Sequence, residues 1–251
     1  MAKTKVVEAK NIKKTFLLGE NSIEVLKGLT FEIESGEFVI IFGPSGCGKS
    51  TLLNIISGLE NVSDGSIKIR GEQLEDYNPK QMAEFRQSKI GIVFQSFNLL
   101  KSMTTQENVA LPLLAGGDGY SQAMRRAEDL LTMIGLKDHL RNIPTELSGG
   151  QQQRVAMARA LATNPWILIC DEPTGNLDSK SSEEVMSIFN TLNQRSKKTI
   201  IMVTHNPDYL KYADKVFHMK DGLIAETTRN SKRVAVKDVG GFKPSEHLIG
   251  A

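Results

Sequence analysis

The sequence predicts an α/β protein with a parallel core sheet, an antiparallel β subdomain near the N-terminus and an inserted α-helical subdomain. Three observations carry that prediction. WILIC (166–170) and TIIMV (199–203) are continuous apolar runs on either side of the helical stretch SKSSEEVMSIFNTL, the strand-helix-strand rhythm of a parallel sheet buried on both faces. Residues 6 to 42 alternate short β-like runs (VVEAKNIKKTF, EVLKGLTFEI, EFVIIF) with Gly-, Asn- and Ser-containing turns, as hairpins do. Residues 96 to 164 lose β character almost entirely.

Taken in order, the third N-terminal run ends in the loop GPSGCGKST (43–51), and STLLNIISGL then reads as a helix with Gly58 near its end. SIKIR and IGIVF (90–94) read as further strands. In SQAMRRAEDLLTMIGL, apolar Met124, Ala127, Leu130, Leu131 and Ile134 recur at helical spacing, and Gly135 supplies a stop. KVFHMKDGLIAET reads as a hairpin about Asp221 and Gly222. The methionines in VAMARA and VMSIF read as helix core. The last stretch, NSKRVAVKDVGGFKPSEHLIGA, shows no sustained period and reads as a mobile tail.

With 251 residues, 40% of them hydrophobic, the chain can bury a substantial core. Lys and Arg number 31 against 29 Asp and Glu, so no global field favours nucleic acid or an anionic membrane surface, and any polyanion is bound locally. The longest apolar runs fall far short of the roughly 18 residues a spanning helix needs. MAKTKVVEAK has a positive start with no apolar stretch behind it, which makes cytoplasm the expected compartment. Cys47 and Cys170 are expected as reduced thiols, the first accessible in its loop and the second hidden in a strand.

Gly43 to Ser50 fits G-x-x-x-x-G-K-[ST] between a strand and a helix. Glycines let backbone N–H groups turn toward phosphate oxygens along the loop Gly43, Pro44, Ser45, Gly46, Cys47, Gly48, Lys49, Ser50 and Thr51, and the helix start adds its dipole. Lys49 would bridge the β- and γ-phosphates, and Ser50 would offer its hydroxyl to Mg²⁺. A merely flexible turn leaves Lys49 unexplained. WILICDEP sets two carboxylates at the end of a buried strand, where such sheets open onto ligands. Asp171 would face the metal through water, and Glu172 would act as general base on the attacking water. His205, after TIIMVT, stands at another such end within reach of a γ-phosphate. In LSGGQ, residues Ser148, Gly149 and Gly150 lead into the helix QQQRVAMARALA, a second anion-ready helix start.

GPSGCGKST, Gln95 in VFQ, LSGGQQQR, ILICDEPT, NLD at 176–178 and TH at 204–205 together resemble the ATP-binding subunit of ABC transporters, over residues 5–228. The resemblance implies a P-loop NTPase (RecA-like) core with a helical subdomain at about 96–164, a tail at 229–251, ATP and Mg²⁺ as cofactors, and ATP hydrolysis. It implies that Ser148, Gly149, Gly150 and Gln151 cap the γ-phosphate held by the glycine loop of a second copy, with Asp178 at the dimer contact. Gln95 would join Ser50 and Asp171 at Mg²⁺, and Phe16 would stack on adenine where the family more often has Tyr. FRQSKIGIVFQSFNLLKSMTTQENVALPL and DEPTGNLDS resemble the macrolide-exporter and lipoprotein-releasing branch, whose membrane partner is a separate permease. That permease would dock on SFNLLKSMTTQENVALPLL and hold the chain at the cytoplasmic face of the membrane. Two rivals stand beside this reading: ATP-driven mechanical signalling to cell-wall enzymes, and a soluble ABC protein on DNA or ribosomes. The second usually carries long insertions or tandem domains.

Overall fold

In the computed structural model, which describes residues 4–19, 21–235 and 242, the first two runs become long strands. β1 (Lys5–Leu18) and β2 (Asn21–Glu34) pair antiparallel from Lys5↔Glu34 to Leu18↔Asn21. The ladder is broken between Ala9 and Ile12, where Asn11 takes φ 51° and Gly28, across from it, φ 95°. A Cβ on Gly28 would lie 2.8 Å from Asn11 Oδ1, so the two residues that read as turn formers make a bulge within the pair. β4 (Asp64–Ile69) joins β1, and β5 (Glu72–Gln73) joins β4, giving the order β2-β1-β4-β5.

A second sheet has the order β10-β9-β3-β8-β7-β6, built from β3 (Phe38–Phe42), β6 (Ile90–Phe94), β7 (Ile167–Asp171), β8 (Thr199–Thr204), β9 (Lys215–Lys220) and β10 (Leu223–Arg229). β3 runs parallel to β9, and β6 parallel to β7. β3, β7 and β8 are buried almost throughout, as their unbroken apolar sequences require. β9 and β10 form the expected hairpin, with Asp221 at φ 50° and Gly222 at φ 81° as its turn.

The helices are α1 (Lys49–Ile56), α2 (Pro79–Lys89), α3 (Thr105–Ala115), α4 (Tyr120–Met133), α5 (Gly149–Leu161) and α6 (Ser179–Ser196). Between β6 and β7 the described residues hold no strand. α4 buries Ala127, Leu130 and Leu131 as its period demands, but Met124 is only half-buried, and Ala123 and Met133 complete the apolar face. Gly135, at φ 75°, ends it. Met157 and Met186 are fully buried.

The chain divides into two compact units, one built on Met1–Arg86 with Ile201–Val234 and the other on Gln87–Ile200. The first contains both carboxylate–lysine chemistry and apolar core: Glu37 and Lys215, each nearly inaccessible, pair at 2.8 Å, and Arg229 adds a 3.2 Å contact to the same carboxylate. The second packs α3 to α6 around buried positions such as Leu131, Val155, Ile169 and Phe189. The start of the expected mobile tail is tied down instead. Asn230 Nδ2 donates to Leu210 O and Ala213 O, Arg233 pairs with Asp214 at 2.8 Å, and Val234 N donates to Lys211 O. Beyond residue 235 the tail lies outside the described residues, Phe242 excepted.

Candidate active site

In the first unit β3 delivers the chain into the loop 43–48 and α1. Gly43 has no room for a side chain, since a Cβ there would meet Met219 O at 2.3 Å and Cys47 Sγ at 2.9 Å. Gly48 caps α1 at φ 99°, a left-handed value suited to glycine, and offers no side-chain hydrogen bond. The contrast with the second unit is informative. Thr104, Ser148 and Asp178 each cap a helix there with a side-chain oxygen, whereas the start of α1 has no side-chain cap, which leaves its first N–H groups open to an anion. Pro44, Ser45, Gly46 and Ser50 are exposed and Thr51 is half-buried.

Lys49 is buried, and its Nζ donates to Gly43 O at 2.9 Å and Pro44 O at 2.8 Å. An ammonium has three protons, so one remains for an incoming oxygen. His205 is exposed, directly past the carboxyl end of β8, and Thr204 Oγ1 fixes the turn by accepting from Asn206 N at 3.0 Å. Phe16 is half-buried near the end of the β1–β2 pair, with Lys14 Nζ 4.9 Å from its ring centre.

In the second unit the β6–β7 register pairs Phe94 with Asp171, so Gln95 and Glu172 follow side by side at the ends of neighbouring strands. Asp171, Glu172 and Gln95 are all half-buried. Glu172 sits at φ 43°, a left-handed backbone uncommon for a non-glycine residue, and its carbonyl accepts from Gly175 N at 3.0 Å. Gln95 and Asn176 exchange two hydrogen bonds: Gln95 Nε2 donates to Asn176 Oδ1 at 3.2 Å, and Asn176 Nδ2 to Gln95 O at 3.1 Å. Asn176, one residue of the NLD motif, is the partner of Gln95.

α5 begins two residues before the Gln151 start of its polar run, at Gly149, with Ser148 as N-cap. Ser148 Oγ accepts from Gln151 N at 3.3 Å, and Gln151 Oε1 accepts from Ser148 N at 2.8 Å, a reciprocal capping box. The Ser148 hydroxyl keeps its own proton to donate. Gly150 lets α6 approach, because a Cβ there would meet Ser181 Oγ at 2.9 Å. Asp178 caps α6 through Ser181, whose hydroxyl and backbone N–H hold its carboxyl below the usual range. The second unit thus brings Ser148–Gln151 and Asp178 together and sets Gln95 beside the Asp171–Glu172 pair.

The described residues contain no group of three or more His, Cys, Asp or Glu side chains able to cage a metal. A hydroxyl, an amide and a carboxylate suit Mg²⁺, which keeps waters and takes its remaining ligands from phosphate oxygens. Ser50 in the first unit and Gln95 and Asp171 in the second carry oxygen donors of the kind Mg²⁺ takes.

Cys47 departs from expectation, for it is only 5% exposed, packed beside Gly43, with its carbonyl accepting from Gly222 N. Cys170 is fully buried, and that burial, with Asp171 next to it, pushes its thiol well up. Both thiols will therefore react slowly with a maleimide in the folded chain and fully in guanidinium. Rapid native labelling at Cys47 would mean the loop opens far more readily than its packing implies.

An uncapped glycine loop with a buried lysine, and two carboxylates at the end of a parallel strand, define a nucleotide-hydrolysing α/β protein. Residues 26–175 match the family described as ABC transporter. An uncharacterized ABC transporter ATP-binding protein of Methanocaldococcus jannaschii is 49% identical over 88% of this chain and 98% of its own length. The macrolide export ATP-binding/permease protein MacB of Syntrophobacter fumaroxidans is 47% identical over 87% of this chain, which spans only 31% of that protein. Among solved structures, a dimeric post-hydrolysis state of the ATP-binding cassette MJ0796 bound to ADP and Pi is 41% identical with a TM-score of 0.82, covering 89% of this chain and 98% of the cassette. The chain belongs to the ABC transporter ATP-binding family, and it is an ATPase.

Proposed function

We propose that two copies of the chain enclose two MgATP, each glycine loop facing the Ser148–Gln151 helix end of the other copy, and that closure and hydrolysis drive a separate transmembrane permease of the exporter or lipoprotein-releasing kind. The observation that carries this reading is the match to almost the whole of a cassette solved as a dimer with ADP and Pi. Lys49 holds the β- and γ-phosphates, and Gly43 to Thr51 cradle them. Ser50, Gln95 and Asp171 would hold Mg²⁺, Gln95 through its Oε1, since its bonds with Asn176 use only its Nε2 and backbone O. Bound Mg²⁺ supplies positive charge against the phosphate oxygens. Glu172 takes the proton of the attacking water, His205 contacts the γ-phosphate, Asp178 lines the dimer contact, and the open face of Phe16 stacks on adenine. The chain occupies the cytoplasmic face of the membrane through its permease; none of its described helices is long and apolar enough to cross.

The segment after Gln95 supports a docking surface. Val109, Ala110 and Leu113 are core, but Leu100 is 44% exposed and Met103 is half-buried. Their backbone is pinned by fully buried Asn108, whose Nδ2 donates to the carbonyls of Leu100, Met103 and Thr104 and whose Oδ1 accepts from Leu100 N. An exposed apolar side chain on so fixed a turn suits an inserted partner helix. Leu100→Glu will lower permease copurification and permease-stimulated hydrolysis while ATP affinity of the isolated subunit holds. Loss of ATP binding with intact copurification would place Leu100 in the core and the docking surface elsewhere.

A further inference from the structure

Beyond its capped start, α5 carries two side chains that reach the loops holding Gln95 and Glu172. Gln153 is completely buried, and its Nε2 donates to Pro173 O at 2.6 Å and, at a longer 3.4 Å, to Phe94 O. Two carbonyls at one end of a carboxamide fix its orientation, because only the NH₂ end can donate. The other end, Oε1, is buried without a hydrogen-bond partner among the described residues. What holds the carboxamide in place is its NH₂ end and the two carbonyls it meets.

Those two carbonyls are specific ones. Phe94 immediately precedes Gln95, and Pro173 immediately follows Glu172. One side chain thus ties α5 to the ends of both neighbouring strands, next to a Glu172 whose backbone is held at φ 43°. On the far side of Gln95, Arg159 of the same helix forks onto Phe97 O at 2.8 Å and Asn98 O at 2.6 Å, where φ is 58° and 52°. Two successive left-handed non-glycine residues need such an anchor.

We propose that Gln153 is a positioning residue for ATP hydrolysis, setting Gln95 and Glu172 relative to the Ser148–Gln151 helix end. The inference rests on the roles given to Gln95 and Glu172 above. Gln153→Met keeps the length of the side chain and removes both donated bonds; Gln153→Asn keeps the amide and removes its reach. In steady-state hydrolysis by the full chain, kcat falls about tenfold to a hundredfold in both variants, the range expected when reacting groups are misplaced by about an ångström. Affinity for a fluorescent ATP analogue stays that of the unsubstituted chain. Met157→Ala, a packing change on the same helix, lowers the melting temperature but leaves kcat unchanged well below it. A normal kcat in both Gln153 variants, an equal loss in Met157→Ala, or failure of both Gln153 variants to fold by far-UV circular dichroism overturns the proposal. If one of them fails to fold, the other decides. Glu172→Gln measured alongside separates the two ideas: normal turnover there sinks the base assignment, whereas an inactive Glu172→Gln beside fully active Gln153 variants sinks only the present inference.

Discussion

Glu172→Gln will bind MgATP, stop hydrolysing it and accumulate as a dimer. The substitution is nearly isosteric, so the left-handed backbone at φ 43° and the Gly175 N–H bond to its carbonyl are kept. What goes is the proton acceptor. A positioned general base contributes about 10²- to 10⁴-fold, so turnover should fall within that range. Affinity moves the other way, because a negative charge near the γ-phosphate is removed and its repulsion with it. ATP-bound pairs that form can no longer separate through hydrolysis. Size-exclusion chromatography with MgATP, paired with a phosphate-release assay, reads both effects; a monomer with normal turnover would remove Glu172 from the chemistry.

The motifs proposed to carry the chemistry were legible because phosphate chemistry uses short, contiguous patterns. The glycine loop, the carboxylate pair after WILIC and the serine-capped helix all emerge where the sequence puts them, and IGIVF became a strand residue for residue because a doubly buried strand needs an unbroken apolar run. What the sequence hid depends on partners far along the chain. Cys47 sits in a loop of flexible, polar composition, yet it is buried, and its carbonyl is held by Gly222 N from the β9–β10 turn far along the chain. Gln95's exchange with Asn176 spans 81 positions, and nothing in either local sequence points to the other. Gln153 looked like one of three interchangeable glutamines; only its zero exposure and its two carbonyl partners set it apart from Gln152. α2 escaped detection because Met82 and Phe85 alone are buried, too few for a period to show.

Lys49→Ala should have the larger effect on binding, and the reason lies in where the ammonium is kept. It is buried against the loop it serves, with Gly43 O and Pro44 O holding it at 2.9 and 2.8 Å. Immobilisation of that kind prepares the charge for phosphate oxygens, so little ordering is left to do when ATP enters. Removing one partner of a buried, hydrogen-bonded charge pair costs about 2–5 kcal/mol, which is roughly thirtyfold to several thousandfold in Kd. The fold should survive, because exposed Pro44 leaves water near one of the freed carbonyls and the glycine geometry of the loop does not depend on the lysine. The expected result is therefore a chain with a near-normal circular dichroism spectrum and melting temperature that no longer binds a fluorescent ATP analogue at micromolar concentrations with Mg²⁺ present. An unchanged dissociation constant would show that the phosphates are held elsewhere. A collapse of the melting temperature would show that Lys49 chiefly braces its own loop.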